Sequence, residues 1–97
     1  MSVLITVEIP VDAAKIDGAQ QLFQEILPDT RAFEGCESVS VHANRERGVL
    51  LLLERWTSPE AHKAYMQWRM ARPEDAARLG ELMAGATPKL TVFEDLA

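Results

Sequence analysis

Residues 49–53 form an uninterrupted apolar run, Val-Leu-Leu-Leu-Leu, which constrains the possible folds more than any other feature of the sequence. A short apolar run that follows a glycine-containing polar loop is typical of a buried β-strand. Successive side chains of a strand point to opposite faces, so this strand is apolar on both faces. The helices of a 97-residue chain cover one face, and the other face needs a second partner. We expect that partner to be another copy of the same chain.

Three other segments show the alternation of apolar and polar side chains that is typical of half-buried strands. They are residues 3–9, 37–43 and 89–94. The polar residues 44–48 separate the second strand from the apolar run, and their composition indicates a hairpin loop.

Two helical patterns lie between these strands. From residue 12 to residue 33 apolar side chains recur every three or four positions, which predicts a helix that Pro28 kinks or splits. Ser58 and Pro59 suit the cap and first position of a second helix, which runs to about residue 72. A further helical segment follows, and we predict that it ends at Gly85.

The order β-α-β-β-α(α)-β predicts an α+β fold of the ferredoxin-like type, a four-stranded antiparallel sheet with helices on one face. Pairing of two such chains through the uncovered sheet face would give a dimeric α+β barrel. Because 97 residues are too few for two separate cores, we expect residues 1–97 to form one domain.

Composition excludes several classes of partner. A formal net charge of −5 and a pI near 4.9 argue against binding of nucleic acid through a basic surface. No segment approaches the roughly 20 apolar residues that a membrane-spanning helix needs, and the first residues do not resemble a signal peptide. Cys36 is the only cysteine, so we expect a protein of the reducing cytoplasm. The two histidines lack the spacing of a metal site, so we expect no metal.

Candidate site residues gather where the apolar strand meets the second helix. Both tryptophans, Trp56 and Trp68, and the only tyrosine, Tyr65, lie within 24 residues of Val49, together with His62 and Arg69. Spacings of three, four and seven place His62, Tyr65 and Arg69 on one helix face. Aromatic rings and hydrogen-bonding groups in this arrangement suit a flat, partly polar small molecule.

Each candidate also has a plainer explanation. A helix histidine is often a surface or capping group, an arginine often joins a surface ion pair, and the tyrosine and tryptophans would serve equally in core packing. Glu54 shares a strand face with Trp56, as a buried acid or as a dimer-interface partner. His42 and Asn44 share one face of the second strand and would form a polar pocket wall, or be exposed to solvent or to a dimer interface.

Three motifs carry a resemblance to a known family. The segment Glu-Arg-Trp-Thr-Ser-Pro-Glu-Ala at residues 54–61 matches the pattern E-x-W-x-S-x-E-A, Phe-Glu-Gly-Cys at residues 33–36 precedes a strand, and the last strand ends in Val-Phe-Glu. In these motifs and their order the sequence resembles the antibiotic biosynthesis monooxygenase domain family of dimeric α+β barrels, over nearly the whole chain.

The resemblance implies several possible activities. Some members of that family oxidise polyphenols or anthrones with molecular oxygen and without metal or flavin, and others degrade haem or isomerise small metabolites. For the haem-degrading branch, the resemblance would imply an asparagine on the first strand and a helix histidine about ten residues after the tryptophan. Here the first strand has no asparagine and that position is Met66, so we expect no haem and no other cofactor.

Resemblance to the cofactor-free oxygenases implies a role for each candidate. His62 would be the general base, Arg69 would stabilise a phenolate, Tyr65 would donate a hydrogen bond, and Trp56 and Trp68 would stack on the substrate ring. Family members often have a histidine where this chain has Tyr65. Two alternatives therefore stay open: a dimer that binds a small molecule without catalysis, and a non-oxidative isomerase.

Overall fold

The strands and helices follow the order that the sequence predicts. The computed structural model describes residues 2–83 and 87–97, and the predicted helix end at Gly85 lies outside them. The elements are β1 (Val3–Pro10), α1 (Ile16–Ala32, preceded by a 3-10 turn at Ala13–Lys15), β2 (Cys36–Asn44), β3 (Val49–Trp56), α2 (Pro59–Met70), α3 (Pro73–Leu82) and β4 (Lys89–Glu94). Among the described residues, no helix is long and apolar enough to cross a membrane.

The four strands form one antiparallel sheet in the order β2-β3-β1-β4. The apolar strand β3 is therefore central, paired on one side with β1 and on the other with β2, as its two apolar faces lead one to expect. Its side chains alternate between buried and half-buried along the whole strand. The predicted ferredoxin-like α+β fold is confirmed.

Helix α1 covers the β2 side of one sheet face. Its buried stripe includes Ile16, Phe23 and Leu27, which pack with Leu50 and Leu52 of β3 in the larger core cluster. Pro28 does not split the helix, which continues to Ala32. Because Pro28 lies on the exposed side of the helix, water can hydrate the carbonyl group that loses its backbone donor.

The turn before β2 holds the β3–α2 junction in place. Gly35 has a φ of +93°, and a Cβ atom built there would lie 2.6 Å from the Cβ of Ala61. Its carbonyl accepts a hydrogen bond from the backbone N–H of Thr57 at 2.8 Å. Ser58 caps α2 by accepting a hydrogen bond from the backbone N–H of Ala61 at 3.1 Å. A residue without a side chain is thus required at position 35, where the turn before β2 packs against the first turn of α2.

The other sheet face, called here the open face, carries Leu4, Leu51, Leu53 and Phe93. The three leucines are half-buried and Phe93 is 47% exposed. The described helices bury the opposite set of strand side chains, among them Ile5, Leu52 and Trp56. The prediction that the chain's own helices cover only one face of β3 is thus consistent with the positions of the described residues.

Candidate functional site

A cavity of about 140 Å³ lies between the helices and the sheet. Its lining is mostly apolar and comes from α1, α2, α3 and all four strands. The polar residues that line it are Thr30, Glu54, Tyr65 and Arg69, of which Glu54 and Arg69 carry charge. An apolar cavity with a few convergent polar groups is the usual form of a small-molecule site.

Arg69 is the centre of a buried hydrogen-bond network at one side of the cavity. Its Nε donates to the hydroxyl of Tyr65 at 3.1 Å, and its Nη2 donates to Oγ1 of Thr30 at 2.8 Å and to the carbonyl oxygen of Ile26 at 3.0 Å. Its Nη1 donates to Oδ2 of Asp75 at 2.8 Å. The Tyr65 hydroxyl is itself 2.7 Å from Oγ1 of Thr30. One side chain that is 1% exposed thus connects α1, α2 and α3.

The charges of this network compensate each other. Burial would raise the pKa of Asp75, but the hydrogen bonds from Arg69 and Arg72 lower it below its ordinary value. Burial would lower the pKa of Arg69, and its hydrogen bonds to Asp75 and Tyr65 raise it instead. Both groups are therefore ionised at neutral pH, and the positive charge beside Tyr65 is already balanced by a carboxylate.

A second polar group, Glu54, enters the cavity from β3. Nε1 of Trp56 donates a hydrogen bond to Oε1 of Glu54 at 2.9 Å, and Nε2 of His62 lies 3.7 Å from the same oxygen. In the described part of the chain, this Nε2 is the one buried side-chain nitrogen or oxygen without a hydrogen-bond partner. Burial raises the pKa of Glu54 despite the bond from Trp56, and burial lowers the pKa of His62.

Aromatic rings fill the space between the start of β2 and helix α2. Phe33 contacts Trp56, Tyr65 and Trp68 with ring-centre distances of 6.3, 5.4 and 5.5 Å, and Trp56 lies 5.1 Å from Tyr65. The Arg69 guanidinium lies 4.8 Å from the centre of the Trp68 ring. The two tryptophans therefore pack against other side chains of the protein, and neither is part of the cavity lining.

The structure brings five of the seven predicted site residues together. Tyr65 and Arg69 line the cavity, His62 lies beyond Glu54, and Trp56 and Trp68 belong to the aromatic packing. His42 and Asn44 are on the open face side of β2, away from the cavity. Nε2 of His42 is 2.9 Å from Oγ of Ser40, and Oδ1 of Asn44 accepts a hydrogen bond from the backbone N–H of Arg47.

Sequence reasoning did not include Glu54, Thr30 or Asp75 among the site residues. The alternation that buries Trp56 also buries Glu54, so the strand pattern contains a signal for this carboxyl group. Thr30 lies in the buried stripe of α1, where a hydroxyl indicates a buried partner. Asp75 has no comparable signal, because an acid in the first turn of a helix is ordinarily explained by the helix dipole.

Comparison with protein families identifies one match. Residues 2–72 match the sequence model described as antibiotic biosynthesis monooxygenase. This covers the first three strands, α1 and α2, and therefore includes Glu54, His62, Tyr65 and Arg69. No curated protein matches the chain.

Several solved structures share the fold. A monooxygenase from Streptomyces coelicolor, solved in complex with nanaomycin D, is 20% identical with a TM-score of 0.80, over 99% of this chain and 88% of its own. The Mycobacterium tuberculosis protein Rv0793 is 23% identical with a TM-score of 0.76, over 100% of this chain and 97% of its own. A conserved protein from Methanosarcina mazei is 16% identical with a TM-score of 0.78, over 99% and 94%. At these identities the likeness shows the fold.

Proposed function

Because the chain belongs to the antibiotic biosynthesis monooxygenase family, we propose that it is a cofactor-independent monooxygenase that oxidises an aromatic or quinol-like small molecule with molecular oxygen. The observation that carries the proposal is the cavity under the helices, which combines apolar walls with Glu54, Tyr65 and Arg69. This combination suits a substrate with an apolar ring and an ionisable hydroxyl group.

The size of the cavity supports a small substrate. Its volume of about 140 Å³ is close to that of an apolar cavity that holds one benzene ring, which is about 150 Å³. Apolar lining residues such as Phe23, Leu52 and Met66 would contact the ring. We therefore propose a phenol or quinol with a single ring.

The chemistry requires little of the protein beyond forming the phenolate. Loss of the hydroxyl proton makes the ring electron-rich enough to reduce oxygen directly. For a phenol with a free para position, one oxygen atom enters the ring, the other leaves as water, and the product is a quinone. Tyr65 and Arg69 form the polar side of the cavity, where an oxygen anion would accept a hydrogen bond from the Tyr65 hydroxyl, which itself accepts a hydrogen bond from Arg69. The apolar walls exclude water from the reacting ring.

Oxygen uptake by metal-free protein tests the proposal. A panel of single-ring phenols and hydroquinones is incubated with the protein without oxygen, and uptake is followed after oxygen is added. We expect turnover by the native chain, and at least about a tenfold loss in Tyr65→Phe, since one hydrogen bond to an ionised oxygen is removed. Glu46→Gln, in the exposed hairpin loop, is the control. Binding without oxygen uptake would favour the non-catalytic alternative, and turnover without oxygen would favour the isomerase.

The open face supports a homodimer as the active form. Leu4, Leu51 and Leu53 are adjacent on the central strands, and Phe93 extends this apolar surface onto β4. Polar residues such as Thr6 and Arg55 lie between these side chains, and a mixture of exposed apolar groups with polar groups is common at subunit interfaces. We expect a dimer in sedimentation velocity at micromolar concentration, and a monomer for Leu51→Lys because a buried ammonium would have no partner. A monomeric native chain across this concentration range would exclude the dimer.

A further inference from the structure

Glu54 is an unusual residue for its position. Its neighbours across the sheet are Ile5 on β1 and Val39 on β2, and both are apolar and buried. The side chain of Glu54 is 5% exposed, and a carboxylate in such surroundings destabilises the fold unless it is paired. The positive charge that lines the same cavity, Arg69, is already paired with Asp75.

The hydrogen bonds of Glu54 are also incomplete. Nε1 of Trp56 donates to Oε1 at 2.9 Å, and within the described residues no hydrogen bond reaches Oε2. Nε2 of His62 lies 3.7 Å from Oε1 without a partner of its own, although it is buried. A small movement would bring this nitrogen to hydrogen-bond distance from the carboxylate. The cavity thus contains a carboxyl group whose Oε2 accepts no hydrogen bond from the described residues, and the imidazole of His62 lies near its other oxygen.

We propose that Glu54 is the base that takes the proton from the substrate hydroxyl, and that His62 is a positioning residue that donates its Nε2–H to the Glu54 carboxylate. This inference rests on the function proposed above and replaces His62 with Glu54 as the base. In the step, the substrate O–H bond breaks and its electron pair stays on the substrate oxygen. A new O–H bond forms at Oε2 of Glu54, which leaves a phenolate beside a neutral carboxylic acid.

Access and charge both favour Glu54 over His62 as the base. Glu54 lines the cavity, whereas His62 does not, and Nε2 of His62 lies 3.7 Å from Oε1 of Glu54. Proton transfer to Glu54 removes a buried negative charge as the phenolate forms, so no second charge is created. Burial raises the pKa of Glu54, which makes the carboxylate a stronger base.

The ionisable groups that face Glu54 are few. From α2 they are His62, Tyr65 and Arg69. From β2 it is Cys36, whose pKa is raised by burial and by the charge of Glu54. Protonation of Glu54 is therefore the event that we assign to the acidic limb of the pH profile, since burial raises the pKa of Glu54 and lowers that of His62.

The pH dependence of kcat/KM tests both roles. We expect Glu54→Gln to lower kcat/KM by about 10²–10⁴, the usual contribution of a general base, with Glu46→Gln unchanged. We expect His62→Phe to shift the acidic limb upward by about one pH unit, because the carboxylate loses one hydrogen bond, with the plateau at high pH retained. His62→Gln keeps an N–H donor and should leave the limb near its native position. A loss at all pH values without a shift would contradict the positioning role of His62.

A binding experiment separates this inference from the proposed function, since it needs no turnover. The probe is 4-nitrophenol, whose phenolate absorbs visible light, added at a pH where the free probe is protonated. We expect phenolate absorbance with the native chain and none with Glu54→Gln at equal occupancy. Phenolate that forms equally in both variants, or oxygen uptake within tenfold of native in Glu54→Gln, would overturn the role of Glu54. Phenolate formation without oxygen uptake would support it and reject the oxygenase.

Discussion

Two arginines donate to the same carboxylate oxygen and differ in their burial and in their other hydrogen bonds. Nη1 of Arg69 and Nε of Arg72 each lie 2.8 Å from Oδ2 of Asp75. The Arg69 side chain is 1% exposed, whereas that of Arg72 is 50% exposed. Replacing each in turn with methionine, which keeps most of the aliphatic stem, therefore compares the loss of a buried hydrogen-bond network with the loss of an exposed ion pair to the same oxygen.

The expected costs are very different. Arg69→Met leaves Tyr65 and Thr30 without their charged donor inside the protein, and breaking a buried pair costs about 3–5 kcal/mol. Because Asp75 keeps Arg72, we expect a value of about 3 kcal/mol. Arg72→Met loses a screened surface pair and a contact with the Trp68 ring, which together contribute at most about 1 kcal/mol. A domain of this size has a stability of about 5–15 kcal/mol, so the larger loss is easily measured.

Urea unfolding followed by circular dichroism gives both values. Because dimerisation would make the midpoint depend on concentration, all variants are compared at one protein concentration. If the slope of the unfolding free energy against urea concentration is the same in all variants, the shifts in the urea midpoint report changes in stability. Equal losses in Arg69→Met and Arg72→Met, within about 0.5 kcal/mol, would refute the argument that the buried network joins the three helices.

Two further predictions concern the backbone and the buried acid. Gly35→Ala should lower the free energy of unfolding by about 2 kcal/mol or more, since its Cβ would lie 2.6 Å from that of Ala61 at a φ of +93°. Gly18→Ala, at a helical position with open space around it, should raise the free energy of unfolding. The same urea unfolding measures both variants. Burial raises the pKa of Glu54 above its ordinary value of 4.5, so native stability should fall as pH rises above 4.5, and Glu54→Gln should be more stable than native at pH 8 but not at pH 4. A native advantage at pH 8 would contradict the sign of this shift.

The fold was predictable from the sequence because its signals are local. The uninterrupted apolar run at residues 49–53 predicted a strand whose two faces both need partners, and Ser58 with Pro59 marked the start of α2. The sequence predicted that Pro28 kinks or splits α1, and the split does not occur, because the helix continues to Ala32. The exposed position of Pro28 reduces the cost of its missing hydrogen bond, and exposure is a tertiary property.

The site was predictable only in part. Helical spacing placed His62, Tyr65 and Arg69 on one face of α2, and these three are the buried residues of that helix. The partners of Arg69 come from positions far along the chain, such as Thr30, and local patterns do not record such pairings. The side of the strand on which the cavity forms is likewise a tertiary property. His42 lies away from this cavity and lines a separate pocket with residues of α1 such as Gln20 and Gln24.

Arg69 and Glu54, the two charged residues that line the cavity, differ in whether they stabilise the fold. Arg69 is satisfied by its partners and joins three helices, so its loss is expected to reduce stability whatever the protein does. Among the described residues Glu54 has one hydrogen bond and no free countercharge, so its ionised form makes the fold less stable. A residue that weakens the fold and faces a cavity is better explained by a role in the reaction than by packing. Greater stability in Glu54→Gln together with loss of phenolate formation would establish that explanation, whereas greater stability alone would leave Glu54 without a chemical role.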